Sequence, residues 1–194
     1  MLSSTNGNRE RSSGKPKRPG NVDAYTLPSN QEAVVVPVVQ GYARLGITWL
    51  DGALRPKTKK VKVKFTAGKK TKKETVGYDY YADVGGLVCM GPVYRLHRVY
   101  AEDEIIWDGT LTWDGSDSPG DLNTKLGSAR FRFGTGGQSQ DGYIFKSSQH
   151  PDYRHQATLE FRRQYFGQDT TSARAVDVEV QRFPDVPEAI KAIG

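Results

Sequence analysis

The chain has 194 residues, 36% of them hydrophobic and 26% charged, with a formal net charge of +6 and a single cysteine. A chain of that length can bury a core without metal or disulfide staples, and the lone Cys89 excludes an internal disulfide and any site built from several thiolates. No apolar run approaches the roughly 20 residues of a membrane-spanning helix, and the first twenty residues lack the apolar stretch of a signal peptide, which predicts a protein held in the cytosol until something moves it.

The net charge hides a segregation. Residues 1–20 hold Arg9, Arg11, Lys15, Lys17 and Arg18 against Glu10, and residues 55–74 hold ten cations against Glu74, a net +9. A mildly acidic body thus carries two basic appendages, which speaks to partners and not to fold.

Residues 1–32 mix Ser, Gly, Asn, Pro and Arg with few apolar residues and read as an extended basic arm. A β-rich domain is predicted over 33–184. It opens with AVVVPVVQ, an apolar strand that Pro37 confines to an edge or a bulge. YARLGITWL follows, closed by a turn at Asp51-Gly52. From Lys59 to Phe65 lysines alternate with Val61, Val63 and Phe65, as in a half-buried strand. Lys69, Lys70, Lys72 and Lys73 then fall in a solvated, lysine-rich loop. Edge protection against aggregation explains the strand lysines Lys60, Lys62 and Lys64 at least as well as ligand binding does.

Further on, VYRLHRVYA predicts a strand with Tyr94, Leu96 and Tyr100 on one side. EIIWDGTLTWDG predicts two short strands, each ended by an Asp-Gly turn. In HQATLEFRRQYF the residues Ala157, Leu159, Phe161 and Tyr165 share a face, and Val176, Val178 and Val180 do so in the next strand. Only residues 185–194, with Pro187 before Ala189, Ile190 and Ile193, suggest a short helix or tail. The fold class expected is all-β or β-dominated, a single antiparallel or mixed β domain with long loops.

Chemistry is hard to find. A P-loop fails because Val63 stands where its first glycine belongs and Lys70 where Ser or Thr belongs. FGTGGQSQDG has no helical pattern after it and reads as a mobile connector. His97 belongs to an alternating strand, and His150 and His155 lack the spacing that puts two ligands on one helix face. Asp114, Asp117 and Asp121 share a loop but depart from calcium-loop spacing, so turn chemistry accounts for them. Cys89 in its apolar run reads as a small buried hydrophobe. No Gly-x-Ser-x-Gly elbow is present. The reading is of a protein that is not an enzyme, with no cofactor and no metal. Ten cations in twenty residues would give salt-dependent affinity for nucleic acid, while an acidic protein surface or anionic lipid would satisfy the same charge.

The order of segments carries more. VVVPVVQGYARLGITWLDG is similar to the start of the tail hub, or tip attachment, proteins of long-tailed bacteriophages, in which an apolar strand with a Pro-Val step runs to a glycine. YYADVGGLVCMGPVYRLHRVYAEDEIIWDG resembles their next block, with tyrosines, a strand ending in Gly-Pro, and a strand to an acidic turn and tryptophan. FRFGTGGQSQDG, HPDYRHQATLEFRRQYFG and VDVEVQRFP resemble the segments that follow. The resemblance implies a tube-like hub sheet in a homotrimer within the virion tail tip or baseplate, assembled in the host cytoplasm. Its implied role is to close the tail tube and anchor tip proteins or fibres, beside the distal tail and tape-measure proteins. It makes Gly91-Pro92 a turn between two sheet strands and Cys89 and Met90 core. Members of that family are usually several times longer, and the lysine-rich segment is more charged than the resemblance requires. Residues Arg9, Arg11, Lys15, Lys17, Arg18, Lys59, Lys60, Lys69, Lys70, Lys72 and Lys73 are the candidates for contact with acidic partners. A nucleic-acid-binding module, and a baseplate hydrolase using His150 or His155, are the alternatives.

Overall fold

Valine alternating with acidic residues over Val176–Gln181 makes a strand that buries one face and wets the other, and this strand lies inside a sheet whose other members come from far earlier in the chain. A computed structural model describes residues 35–50, 57–67, 70–139, 142–144, 151–168 and 172–183. In chain order the strands are β1 (Tyr42–Gly46), β2 (Thr48–Trp49), β3 (Lys57–Ala67), β4 (Lys70–Met90), β5 (Arg95–Ala101), β6 (Glu104–Thr112), β7 (Gly120–Thr124), β8 (Gly127–Arg132), β9 (Gln156–Gln168) and β10 (Val176–Gln181). No helix occurs among the described residues.

The strands form two sheets. The first has the order β1-β10-β5-β6; the second has the order β2-β4-β9-β8-β7, with β3 paired to β4 off that path. All ladders between these strands are antiparallel. The fold is therefore β-dominated, as alternation predicts, with two sheets around one core where the resemblance implies a tube-like sheet. Leu96, Val99, Val176, Val178 and Val180 of the first sheet and Val84, Ala129, Phe131, Leu159 and Phe161 of the second belong to a single apolar cluster. Burying a Phe or Leu side chain stabilises by about 1.5–3 kcal/mol.

The chain changes sheet four times. Between β1 and β2 it turns at Ile47, whose N–H donates to the Val176 carbonyl at 2.9 Å. Between β4 and β5 it turns at a cis Gly91-Pro92 bond, where the resemblance implies a turn. A Cβ at Gly91 would lie 2.5 Å from the Gly134 carbonyl oxygen, so the backbones of the two loops meet there only because neither carries a side chain. Cys89 and Val88 are buried as expected of core, whereas Met90 is partly exposed at the end of β4.

Several local expectations need correction. The run from Val35 to Gln40 is not a ladder strand; it makes one parallel bridge, Val38 to Met90, with the Met90 N–H donating to Pro37 at 2.8 Å. Pro37 has no N–H to return, and Val35 and Val38 stay 87% and 61% exposed. Asp108-Gly109 is not a turn but the middle of β6, because the hairpin reverses earlier, at Glu102 with φ 57°. Two bulges switch parity. The register shift at His97 sends Val99 to the core and Tyr100 to the outer face. The shift at Arg163, φ 57°, buries Gln164 and Phe166 where Tyr165 was expected. Asp51-Gly52, the helix or tail 185–194 and the arm 1–32 lie outside the described residues.

Candidate functional site

The lysine-rich segment is a hairpin for its described residues, and not the loop the composition suggests. β3 pairs with β4 from Lys57↔Tyr81 to Ala67↔Lys70. β9 joins β4 only from Asp79 onward, so residues 70–78 and their partners form a two-stranded ribbon projecting past the second sheet. Six lysines lie on it, Lys60, Lys62, Lys64, Lys70, Lys72 and Lys73, with Lys57 and Lys59 just before it on β3. Lys64 stands opposite Lys73, and a bulge interrupts the register between Val61 and Lys62. Of the candidate contact residues, Lys59 and Lys60 fall on β3 and Lys70, Lys72 and Lys73 on β4; Lys69 and the five arm cations lie outside the described residues.

A second polar surface was not foreseen. Antiparallel register sets Arg44, Glu179 and Arg98 side by side across β1, β10 and β5, and Asp108 continues the row on β6. The signs alternate, and the groups bond accordingly. Glu179 accepts from Tyr42 at 2.5 Å, from Tyr100 at 2.6 Å and from Arg98 at 3.3 Å, and Arg98 also donates to Asp108 at 3.1 Å. Arg44 holds Asp177 through two bonds, 2.7 and 3.0 Å, and covers the Tyr100 ring at 4.0 Å. Burial alone would push the Glu179 carboxyl up; the bonds from Tyr100, Tyr42 and Arg98 outweigh it and hold the carboxyl below its ordinary range. Burial and donation to Glu179 push the Tyr42 phenol up to about 12. A shallow hollow of about 340 Å³ beside this row is lined by Tyr42, His97, Arg98, Asp108, Gly109 and Thr110. His97 is held by Gln181 at 3.1 Å and stacks near Tyr42. Alternation on β10 carries the signal for this surface; the cross-strand partners do not follow from one sequence.

The glycine-rich connector is anchored over its described residues. Gln138 is buried and plugs the loop: it accepts from Gly134 N–H at 3.0 Å and donates to the carbonyls of Tyr153 at 2.5 Å, Gln156 at 3.0 Å and Asp152 at 3.4 Å. Beneath it Arg132 and Glu160, both buried, pair at 2.8 Å, and Arg132 also donates to the Ser139 carbonyl. This corrects the reading of a mobile connector, since satisfying four backbone groups with one side chain fixes the loop.

The remaining candidates are spoken for. Asp114 accepts from the Ser116 N–H and hydroxyl at 2.9 and 2.7 Å, which is turn chemistry, and Asp121 pairs with Arg130 at 2.8 Å. His155, at φ 60°, lays its ring against Gly136; His150 lies outside the described residues. Cys89 is buried, and desolvation pushes its thiol up to about 11, the reverse of an activated nucleophile. No group of three or more His, Cys, Asp or Glu side chains suited to a metal ion occurs among the described residues.

What these surfaces suit is contact. The row Arg44–Glu179–Arg98–Asp108 is polar, aromatic-edged and charge-balanced, while the ribbon is strongly cationic. At the end of the first sheet, Tyr42 and Phe183 are each 55% exposed, and Arg182 N–H donates to Gly41 at 2.9 Å, bringing these two apolar groups to one rim with Val38 nearby through the Arg182–Val39 bond. A scan of protein-family models, a search of curated proteins and a search of solved structures each found no match to the chain.

Proposed function

We propose that the chain is a structural component of a bacteriophage tail, a hub or baseplate module at the distal end of the tail tube that anchors tip proteins or fibres and works as a homotrimer. The observation that carries this reading on the fold is the rim of the first sheet. There β1 has no strand beyond it among the described residues, and Val38, Tyr42 and Phe183 stand exposed beside that open edge. An unpaired edge flanked by apolar side chains is a site for another chain to complete. The segment order supports the same reading, as does the self-satisfied polar face, which offers no nucleophile with a base beside it. Activity here is interface formation, and ordering a contact segment costs roughly 1–2 kcal/mol per residue, which only a large multi-subunit interface offsets.

Mass photometry and co-sedimentation with purified tail-tube and distal tail proteins test it. Oligomers, or capture into tail assemblies, are expected, and Val38→Glu with Phe183→Glu should reduce capture at least tenfold while leaving the thermal transition in place. A compact monomer that joins no tail protein would overturn the reading.

A further inference from the structure

We infer that the β3–β4 ribbon binds double-stranded nucleic acid through its phosphate backbone, independently of sequence. The inference stands apart from the assembly reading, because it rests on the ribbon alone. A two-stranded ribbon with lysines on both strands is poorly suited to exist for its own sake. An isolated hairpin is marginal in water, and the register sets Lys64 directly opposite Lys73. Charge of this density calls for a polyanion.

Two polyanions compete, an acidic protein surface and a nucleic acid, and composition separates them. Protein interfaces enrich Arg and aromatic residues and deplete Lys. On the ribbon residues 60–67 and 70–78 all six cations are lysine, compact point charges that suit phosphates without demanding a bidentate partner. Size separates duplex from single strand. The ribbon's eight β3 residues, 60–67, extend about 26 Å at 3.3 Å per residue, about three quarters of the 34–36 Å of one turn of duplex. A two-stranded ribbon also fits the duplex major groove, about 12 Å wide. A single-strand site would need a series of stacking aromatics, and the ribbon residues 60–67 and 70–78 hold only Phe65 and Tyr78. Lysine with no arginine, Asn or Gln along the pairing also predicts no base readout.

Fluorescence anisotropy of the full chain with two labelled 24-base-pair duplexes of unrelated sequence, from 50 to 300 mM NaCl, reads this directly. Expected are equal affinities for the two duplexes within about twofold and a linear fall of log K with log salt. Lys60→Gln, Lys62→Gln and Lys64→Gln together should weaken binding at 100 mM salt at least tenfold and make the slope shallower by about 2.7. Lys70→Gln, Lys72→Gln and Lys73→Gln should do the same from the other strand, and serve if the first set does not fold; arginine at the same positions should restore affinity. Unchanged slope and affinity in both sets would assign the charge effect to the arm and overturn the inference. So would tighter binding to a single strand, equal binding to polyglutamate, or no binding at 50 mM salt. Failure to join tail proteins would leave these results as they stand, so the two readings fail separately.

Discussion

Two side chains organise more of this molecule than their residue types advertise. Gln138 satisfies one backbone N–H and three carbonyls from two loops. Gln138→Leu keeps the volume and strips the Gly134 N–H and the Gln156 carbonyl of this partner, while Tyr153 still accepts from the Gln156 N–H at 3.0 Å; each buried unsatisfied group costs about 1–3 kcal/mol. A loss of about 3–5 kcal/mol is expected, read as a lower urea midpoint with an unchanged slope. Glu179 draws three donors to one carboxylate. Its folded pKa is held down, so its contribution is complete above the unfolded value of about 4.3 and drains away as pH falls below that value. The phenol of Tyr42 behaves in the opposite sense. Its folded pKa is raised to about 12, so its contribution holds below the unfolded value of about 10 and is lost as pH rises toward 12. Glu179→Gln should cost about 1–2 kcal/mol at neutral pH and flatten the acid limb of stability against pH. Tyr42→Phe should flatten the alkaline limb; full limbs in these variants would refute the network.

At the scale of elements, the bulge in β9 decides which residues are inside. Ala157, Leu159 and Phe161 are buried as alternation predicts, and then Arg163 at φ 57° takes up an extra residue and turns Gln164 and Phe166 inward. A non-glycine residue in that region is held there against its preference. Arg163→Gly should therefore stabilise by up to about 1 kcal/mol and Arg163→Val destabilise by more, measured by thermal unfolding; the reverse order would place the strain elsewhere. The same bulge shows where sequence reading stops. The valines of β10 and the first half of β9 were legible because period-two alternation is a local property. Parity past a bulge was not, because the bulge is set by the neighbouring strand: Ala82 faces Gln164 while Val84 faces Phe161. The lysine hairpin was half legible. Alternation marked β3, but charge density disguised the start of β4 as loop, since nothing local says that Lys70 to Lys73 pair back onto Lys64 to Ala67. Of the candidate surfaces, the cationic residues were visible in composition, and the alternating row on the first sheet was not, since it exists only once three ladders bring four strands into register.

Over the whole molecule, function and architecture meet at the places where pairing stops. Among the described residues the first sheet ends at β1 and β6, the second at β7 and, on the other side of β4, at β2 and β3. The assembly reading places neighbouring subunits at the β1 rim; the ribbon inference places nucleic acid on the other sheet. The two surfaces belong to different sheets, so the Val38→Glu and Phe183→Glu pair should leave duplex affinity untouched, and the lysine sets should leave capture by tail proteins intact. The position of β10 has a consequence of another kind. Arg44 on β1 waits for Asp177, 133 residues later, before its strand has a partner. At the usual pace of about 5–20 residues per second, a ribosome needs about 7–27 seconds to deliver it. For that interval β1 has no partner strand in the nascent chain, so the yield of folded protein is expected to vary with translation speed.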